Sequence, residues 1–192
     1  MVKKKSDSVN DRVNIKKGIG SLSKHFLVFV PALIVVFLDI VSKLIICRIP
    51  LGEGFVLIRN FLSIIHINNY GAGFGIFQNQ RLFLILVSVG VLVVVAFYYN
   101  RIPVSRMVLV STGLLIGGTV GNLIDRIFRG FVVDFVAFSF WPAFNVADSA
   151  LCLGVAGILI WSFLERRKDS EQKIEKIKIG KETKRGKERK KK

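Results

Sequence analysis

Four apolar blocks dominate this sequence, at residues 25–47, 82–99, 107–124 and 149–164, and none carries more than two charges. A helix needs about 20 apolar residues to cross the hydrocarbon core of a bilayer, with about 17 as the lower limit. The first three blocks qualify alone. The fourth is short, and residues 144–147 can extend it. A chain of 192 residues that is 52% hydrophobic, with mean hydropathy +0.51, has no water-soluble way to bury four such blocks. The expected fold is an all-α membrane protein of four transmembrane helices.

The charge gives the orientation. Of the 29 Lys and Arg, seven lie in residues 1–24 and fourteen in residues 165–192, and the short turn between the second and third blocks adds Arg101 and Arg106. The opposite side holds Arg48, Arg59, Arg81, Arg126 and Arg129, while Lys43 lies inside a block. The positive-inside bias then makes both termini cytoplasmic. Segments 48–81 and 125–145 face outward. The first block is too long for a cleaved leader and lacks a small-x-small site after it, so it is read as a retained span. Cys47 and Cys152 have neither metal-ligand nor disulfide spacing and are expected as small buried apolar residues.

Three regions follow: a polar, flexible segment 1–24, a membrane domain 25–165, and a basic, disordered tail 166–192. Within the domain, the outward stretch 48–80 is rich in strand formers. Its core, 52–77, reads as one or two short strands ending in a glycine-rich loop at 69–75, lying as a small sheet on the membrane surface. Residues 131–141 read as an aromatic segment at the headgroup level.

The polar residues of the apolar segments gather at one depth. Asp39 and Lys43 close the first block, Asn122, Asp125 and Arg126 close the third, and Asn145, Asp148 and Ser149 open the fourth. Asn69 and Asp134 lie in the outward segments. Ionisable residues in spans mark functional sites by default. Asp39 and Lys43, four residues apart, can neutralise each other or face a substrate. Asp125 has Arg126 and Arg129 nearby. Asp134 and Asp148 have no local basic partner. Two carboxylates within hydrogen-bonding reach share one proton, and one can activate water while the other polarises a carbonyl. That is aspartic-protease chemistry, with Asp134 supplied by a loop and Asp148 by a helix start. It needs no metal and no cofactor. His25 and His66 form no ligand cluster, and Ser149 has no base.

The same residues carry a family resemblance. "DIVSK" (39–43), "NYGAGF" (69–74), "GGTVGNLIDR" (117–126), "VVDF" (132–135) and "FNVADS" (144–149) occur in the order found in the lipoprotein signal peptidases, the type II signal peptidases of bacteria. The chain resembles that family over roughly residues 25–165. Ile40 stands where many members have a polar residue, and Gly73 where alanine is usual. The resemblance implies four helices with a small extracytoplasmic β-cradle and Asp134 and Asp148 as the catalytic dyad. It implies removal of the signal peptide from a diacylglyceryl-modified prolipoprotein, just before the lipidated cysteine. Asp39, Lys43, Asn69, Gly71, Asn122, Asp125, Arg126 and Asn145 would hold the substrate or support the dyad. Gly71, Gly73 and Gly75 would let their turn approach the substrate closely.

The implied setting is the bacterial inner membrane, with the site at the extracytoplasmic face. Expected partners are the diacylated substrate and membrane lipid, with anionic lipid at the basic tails. No nucleic acid is expected, and a monomer is. The competing reading is a non-enzymatic membrane factor, an insertase or an ion or proton path, whose basic tail binds ribosomes or lipid.

Overall fold

A computed structural model describes the backbone of residues 3–189 and the side chains of residues 23–171 apart from Phe74 and Asp169. Its elements are α1 (Lys3–Ile46), β1 (Gly54–Ile58), β2 (Leu62–Asn69), α2 (Arg81–Tyr98), α3 (Arg106–Phe128), β3 (Val132–Phe138), β4 (Trp141–Phe144) and α4 (Val146–Arg189). The four apolar blocks form four membrane-spanning stretches, Ser23–Ile46, Arg81–Arg101, Arg106–Phe128 and Val146–Lys168. The segments read as flexible or disordered, 1–24 and 166–192, continue α1 and α4 in backbone from Lys3 and as far as Arg189. Residues 1–2 and 190–192 lie outside the described residues, as do the side chains before residue 23 and beyond residue 171.

Helix α3 is the hub, packing against α1, α4 and α2. In lipid no hydrophobic force draws helices together, so close packing of small residues must do it. The buried side of α3 is accordingly rich in small residues, Ser111, Thr112, Gly113, Gly117, Gly118, Thr119 and Gly121, beside Val108, Leu109, Asn122 and Asp125. A methyl group on Gly117 would lie 2.7 Å from the Ala32 carbonyl oxygen of α1, so a larger residue would push the helices apart. Helix α2 buries little beyond Leu84 and presents Leu82, Leu86, Val93 and Phe97 outward to lipid.

One four-stranded antiparallel sheet, ordered β1-β2-β3-β4, sits at the end of the bundle where α1 and α3 finish and α4 begins. The sequence reading finds β1 and β2 but not β3 and β4. The supposed interfacial segment 131–141 is mostly strand: Ile67 pairs with Asp134 and Asn69 with Val132 across β2 and β3. Asp134 therefore belongs to a strand, not a loop. Val, Phe and Ile suit a pleated, half-buried surface, and long-range pairing with β2 selects the strand form. Phe144 likewise ends β4 and does not extend the fourth helix, which starts at Val146. Ile46, Val133 and Phe135 form the apolar contact that seats the sheet on α1.

Candidate active site

The N-terminus of α4 is the geometric centre of the site. The first N–H groups of a helix have no partner within the helix. Here Asn145 is the cap: its Oδ1 accepts from the Asp148 N–H at 2.9 Å, while Asp148 Oδ2 accepts from the Asn145 N–H at 3.2 Å. This reciprocal arrangement is a capping box. The Ala147 N–H donates to Asp39 Oδ1 of α1 at 3.0 Å. Folding the helix start thus fixes Asp148, and Asp148 also benefits from the positive end of the helix dipole.

Asp134 comes from β3 and is 2% exposed. Its Oδ1 accepts from Asn145 Nδ2 at 2.7 Å and its Oδ2 from Asn69 Nδ2 at 2.9 Å. Asp148 Oδ1 accepts from Asn122 Nδ2 at 2.7 Å. Each carboxylate oxygen therefore has one fixed N–H donor. Among the described residues, no hydrogen bond joins the two carboxylates. Asn145 bridges them, with its side chain on Asp134 and its backbone on Asp148. The pair therefore flanks a shared space and is oriented by amides. Burial pushes the Asp134 carboxyl up to about 7, and the neighbouring Asp148 carboxylate pushes the same way. The bonds from Asn69 and Asn145 and the charge of Lys43 oppose them.

Behind this pair lies an ionic layer. The ammonium of Lys43, 1% exposed, sits 2.7 Å from Asp39 Oδ2, 2.9 Å from Asp125 Oδ2 and 3.1 Å from Asn122 Oδ1. Asp125 also meets Arg129 at 3.2 Å and accepts from the Val133 N–H of β3. Two carboxylates share one buried lysine, so α1 and α3 are joined to each other, and through Asp39 and Asp125 to α4 and β3. Lys43 also settles the Asn122 amide: with the oxygen held by Lys43 and by Asn145 Nδ2, the nitrogen must face Asp148. Gly121 makes room for this, because a methyl there would lie 2.6 Å from Asp39 Oδ2.

Both aspartates line one cavity of about 400 Å³. Asn69 and Arg126 line it with them, whereas Asp39, Lys43, Gly71, Asn122, Asp125 and Asn145 do not. The Asp39–Lys43 pair forms within α1, and Lys43 is shared with Asp125 of α3. Arg126 donates to the Gly71 carbonyl at 3.2 Å rather than pairing with Asp125. Gly71 closes the turn, since a side chain there would strike the Ile76 carbonyl, and Gly73 lines the cavity. Gly75 adopts φ +71°, which glycine takes without strain.

Sequence reasoning missed the apolar wall of the cavity, Trp141 to Phe144 of β4 with Val132 and Leu151. The aromatic run held the signal, but only strand pairing turns it toward Asp134. The cysteines also differ from expectation, because both are exposed. Cys47 accepts a hydrogen bond from Arg129, and Cys152 lines the cavity.

The arrangement suits water-driven hydrolysis: two carboxylates with different surroundings, fixed donors, and an apolar slot beside them. Comparison with known proteins agrees. The family model for peptidase A8, described as signal peptidase (SPase) II, matches residues 31–164. A protein of Halothermothrix orenii named lipoprotein signal peptidase is 37% identical over 142 residues, 73% of this chain and 98% of that protein. Two solved structures, both described as bacterial membrane enzymes obtained by the in meso method, share the fold. The one at 2.3 Å resolution has a TM-score of 0.68 and 32% identity, covering 71% of this chain and 87% of its own. The one at 1.9 Å has a TM-score of 0.62 and 34% identity, covering 68% and 88%.

Proposed function

The chain belongs to the signal peptidase II family, a family of aspartic endopeptidases, and on that premise we propose that Asp134 and Asp148 are its catalytic pair. The reaction is removal of the signal peptide from a prolipoprotein. The substrate carries a diacylglyceryl group on its cysteine, and the bond cut is the one just before it. The single observation that carries the assignment is that both carboxylates line one cavity, with Asn145 bonded to each.

In the resting enzyme Asp134 holds the proton and Asp148 is the carboxylate. The scissile carbonyl enters between them and takes a hydrogen bond from protonated Asp134. Asp148 removes a proton from water as its oxygen attacks the carbonyl carbon, and Asp134 passes its proton to the carbonyl oxygen, giving a tetrahedral diol. Asp148 then passes that proton to the departing nitrogen. The amine leaves on the lipidated cysteine, and the diol collapses to the carboxylic acid of the signal peptide as a hydroxyl proton returns to the pair. Asn69, Asn122 and Asn145 keep their carboxylates aimed throughout. No side chain forms a covalent bond.

The site end of the bundle faces outward across a bacterial inner membrane, and both basic ends face the cytoplasm, as the charge bias requires. Acyl chains and signal helix then stay in lipid while the scissile bond reaches headgroup depth, where water is available. The chain acts as a monomer, and anionic lipid binds its basic tails.

The test is the mass of a diacylated lipobox precursor after incubation with the purified protein. Wild type should yield the two fragments, and Asp134→Asn and Asp148→Asn should each yield none while still inserting in membranes. Cleavage by either variant at near the wild-type rate would overturn the pair.

A further inference from the structure

Arg81 breaks a local rule. It is the first residue of α2, where the helix dipole disfavours a positive charge. Its side chain turns away from its own helix to the C-terminal end of α3, donating from Nε to the Arg126 carbonyl at 2.7 Å and from Nη2 to the Ile127 carbonyl at 2.8 Å. Those carbonyls are among the last of α3, which lack helical partners and form its negative end. Gly130, at φ +86°, lies against the guanidinium, and a methyl group there would be 3.4 Å from Nη1.

Arg126 makes the complementary contact. Its backbone receives Arg81, while its side chain lines the cavity and donates to the Gly71 carbonyl. The loop from Tyr70 to Gln80 is therefore fastened to one residue of α3 at both ends, near its start by the Arg126 side chain and just past its finish by Arg81. This loop supplies Ala72 and Gly73 to the cavity wall. It also holds Phe77 at φ 57°, a conformation costly for a bulky residue and kept only when the surroundings enforce it, and Asn79 at φ 61°, which asparagine takes readily. The start of the loop leads to the reacting groups: the Gly71 N–H donates to Asn69 Oδ1, and Asn69 donates to Asp134.

We propose that Arg81 is a positioning residue for substrate binding: with Arg126 it forms a double clasp that holds the 70–80 loop as a wall of the cavity. It acts through the loop and touches no reacting atom. Losing Arg81 detaches the far end of the loop from α3 and leaves it held only by bonds within the loop, such as Asn79 N–H to the Tyr70 carbonyl, while Asn69, on β2, keeps its bond to Asp134. Binding should suffer and chemistry should not.

This rests on the proposed peptidase reading, and the controls separate the two. Wild type must cleave the diacylated lipobox peptide and Asp134→Asn must not; if either control fails, the peptidase reading is at fault and not the clasp. Given those, kcat and KM are measured for Arg81→Gln and Arg81→Lys. Arg81→Gln should raise KM roughly five- to twentyfold, at or below the low end for losing bonds from a charged donor because both bonds are exposed to solvent, with kcat within about twofold and the pH profile unmoved. Arg81→Lys keeps the charge but offers a point donor in place of a fork, so its KM should fall between, which also covers the case where Arg81→Gln fails to fold. Unchanged KM in both variants overturns the proposal. So does a loss of kcat alongside thermal stability with KM unmoved, the signature of a purely structural residue.

Discussion

Replacing Asn69 with alanine isolates one of the forces on the Asp134 proton. Asn69 Nδ2 donates to Asp134 Oδ2 at 2.9 Å, a bond that favours the charged carboxylate. In the intact site burial and the Asp148 charge hold Asp134 at about 7 against Asn69, Asn145 and Lys43. A hydrogen bond to a charged group is worth about 1.5–3 kcal/mol, and one pKa unit corresponds to about 1.4 kcal/mol. Cavity water replaces part of the lost bond, so the low end applies, and Asp134 should titrate about one unit higher in Asn69→Ala. The assay is kcat/KM against pH for a diacylated lipobox peptide in mixed micelles. The pair titrates as a unit, so the observable is its alkaline limb. Wild type should lose activity as pH rises through about 7, because the proton that polarises the carbonyl departs. The variant's limb should move up. A limb that stays in place, or moves down, refutes the placement of the proton on Asp134.

Lys43→Met leaves Asp39 and Asp125 buried without their shared cation. Breaking such a pair costs about 3–5 kcal/mol, so the variant should elute as aggregate in size exclusion, and adding Asp39→Asn with Asp125→Asn should recover folded protein. The Asp134 shift also makes stability depend on pH. Its carboxyl is raised from the ordinary 3.8 to about 7, so the folded state keeps a proton that the unfolded chain releases above pH 3.8. The stabilisation is complete below the lower value and lost as pH rises through the upper one. Thermal midpoints measured from pH 5 to 8 should therefore fall in wild type and fall less in Asp134→Asn. Deleting residues 168–192 should leave cleavage of detergent-presented substrate largely intact, because no residue lining the cavity lies beyond Cys152. Loss of activity in that truncation would reveal a catalytic role for the tail.

The sequence was most legible where physics is local. Each span needs only its own apolar run, and a buried acid stands out wherever it falls, so the helices and the depth of Asp39, Asp125 and Asp148 could be read directly. Strands β3 and β4 could not, because 131–144 is a near-continuous apolar run whose partner, β2, lies some 65 residues earlier, as the Ile67–Asp134 pairing illustrates. The same distance hid the sharing of Lys43. Sequence neighbours offer it Asp39 alone, while Asp125 arrives from another helix. Asn145 stands out in the sequence only as a polar motif residue, because its double contact with both aspartates depends on a helix cap meeting a strand. Arg81 left only one faint sign, a cation at the wrong end of its own helix.

The most direct measurement is a structure of the protein bound to a diacylated lipobox peptide whose scissile amide is replaced by a hydroxyethylene group. That hydroxyl stands in for the tetrahedral diol. It should lie within about 3 Å of a carboxylate oxygen of both Asp134 and Asp148, with Asn145 still bonded to each. A peptide seated in the cavity with its hydroxyl bonded to neither aspartate, or to one while the other turns away, would contradict the account.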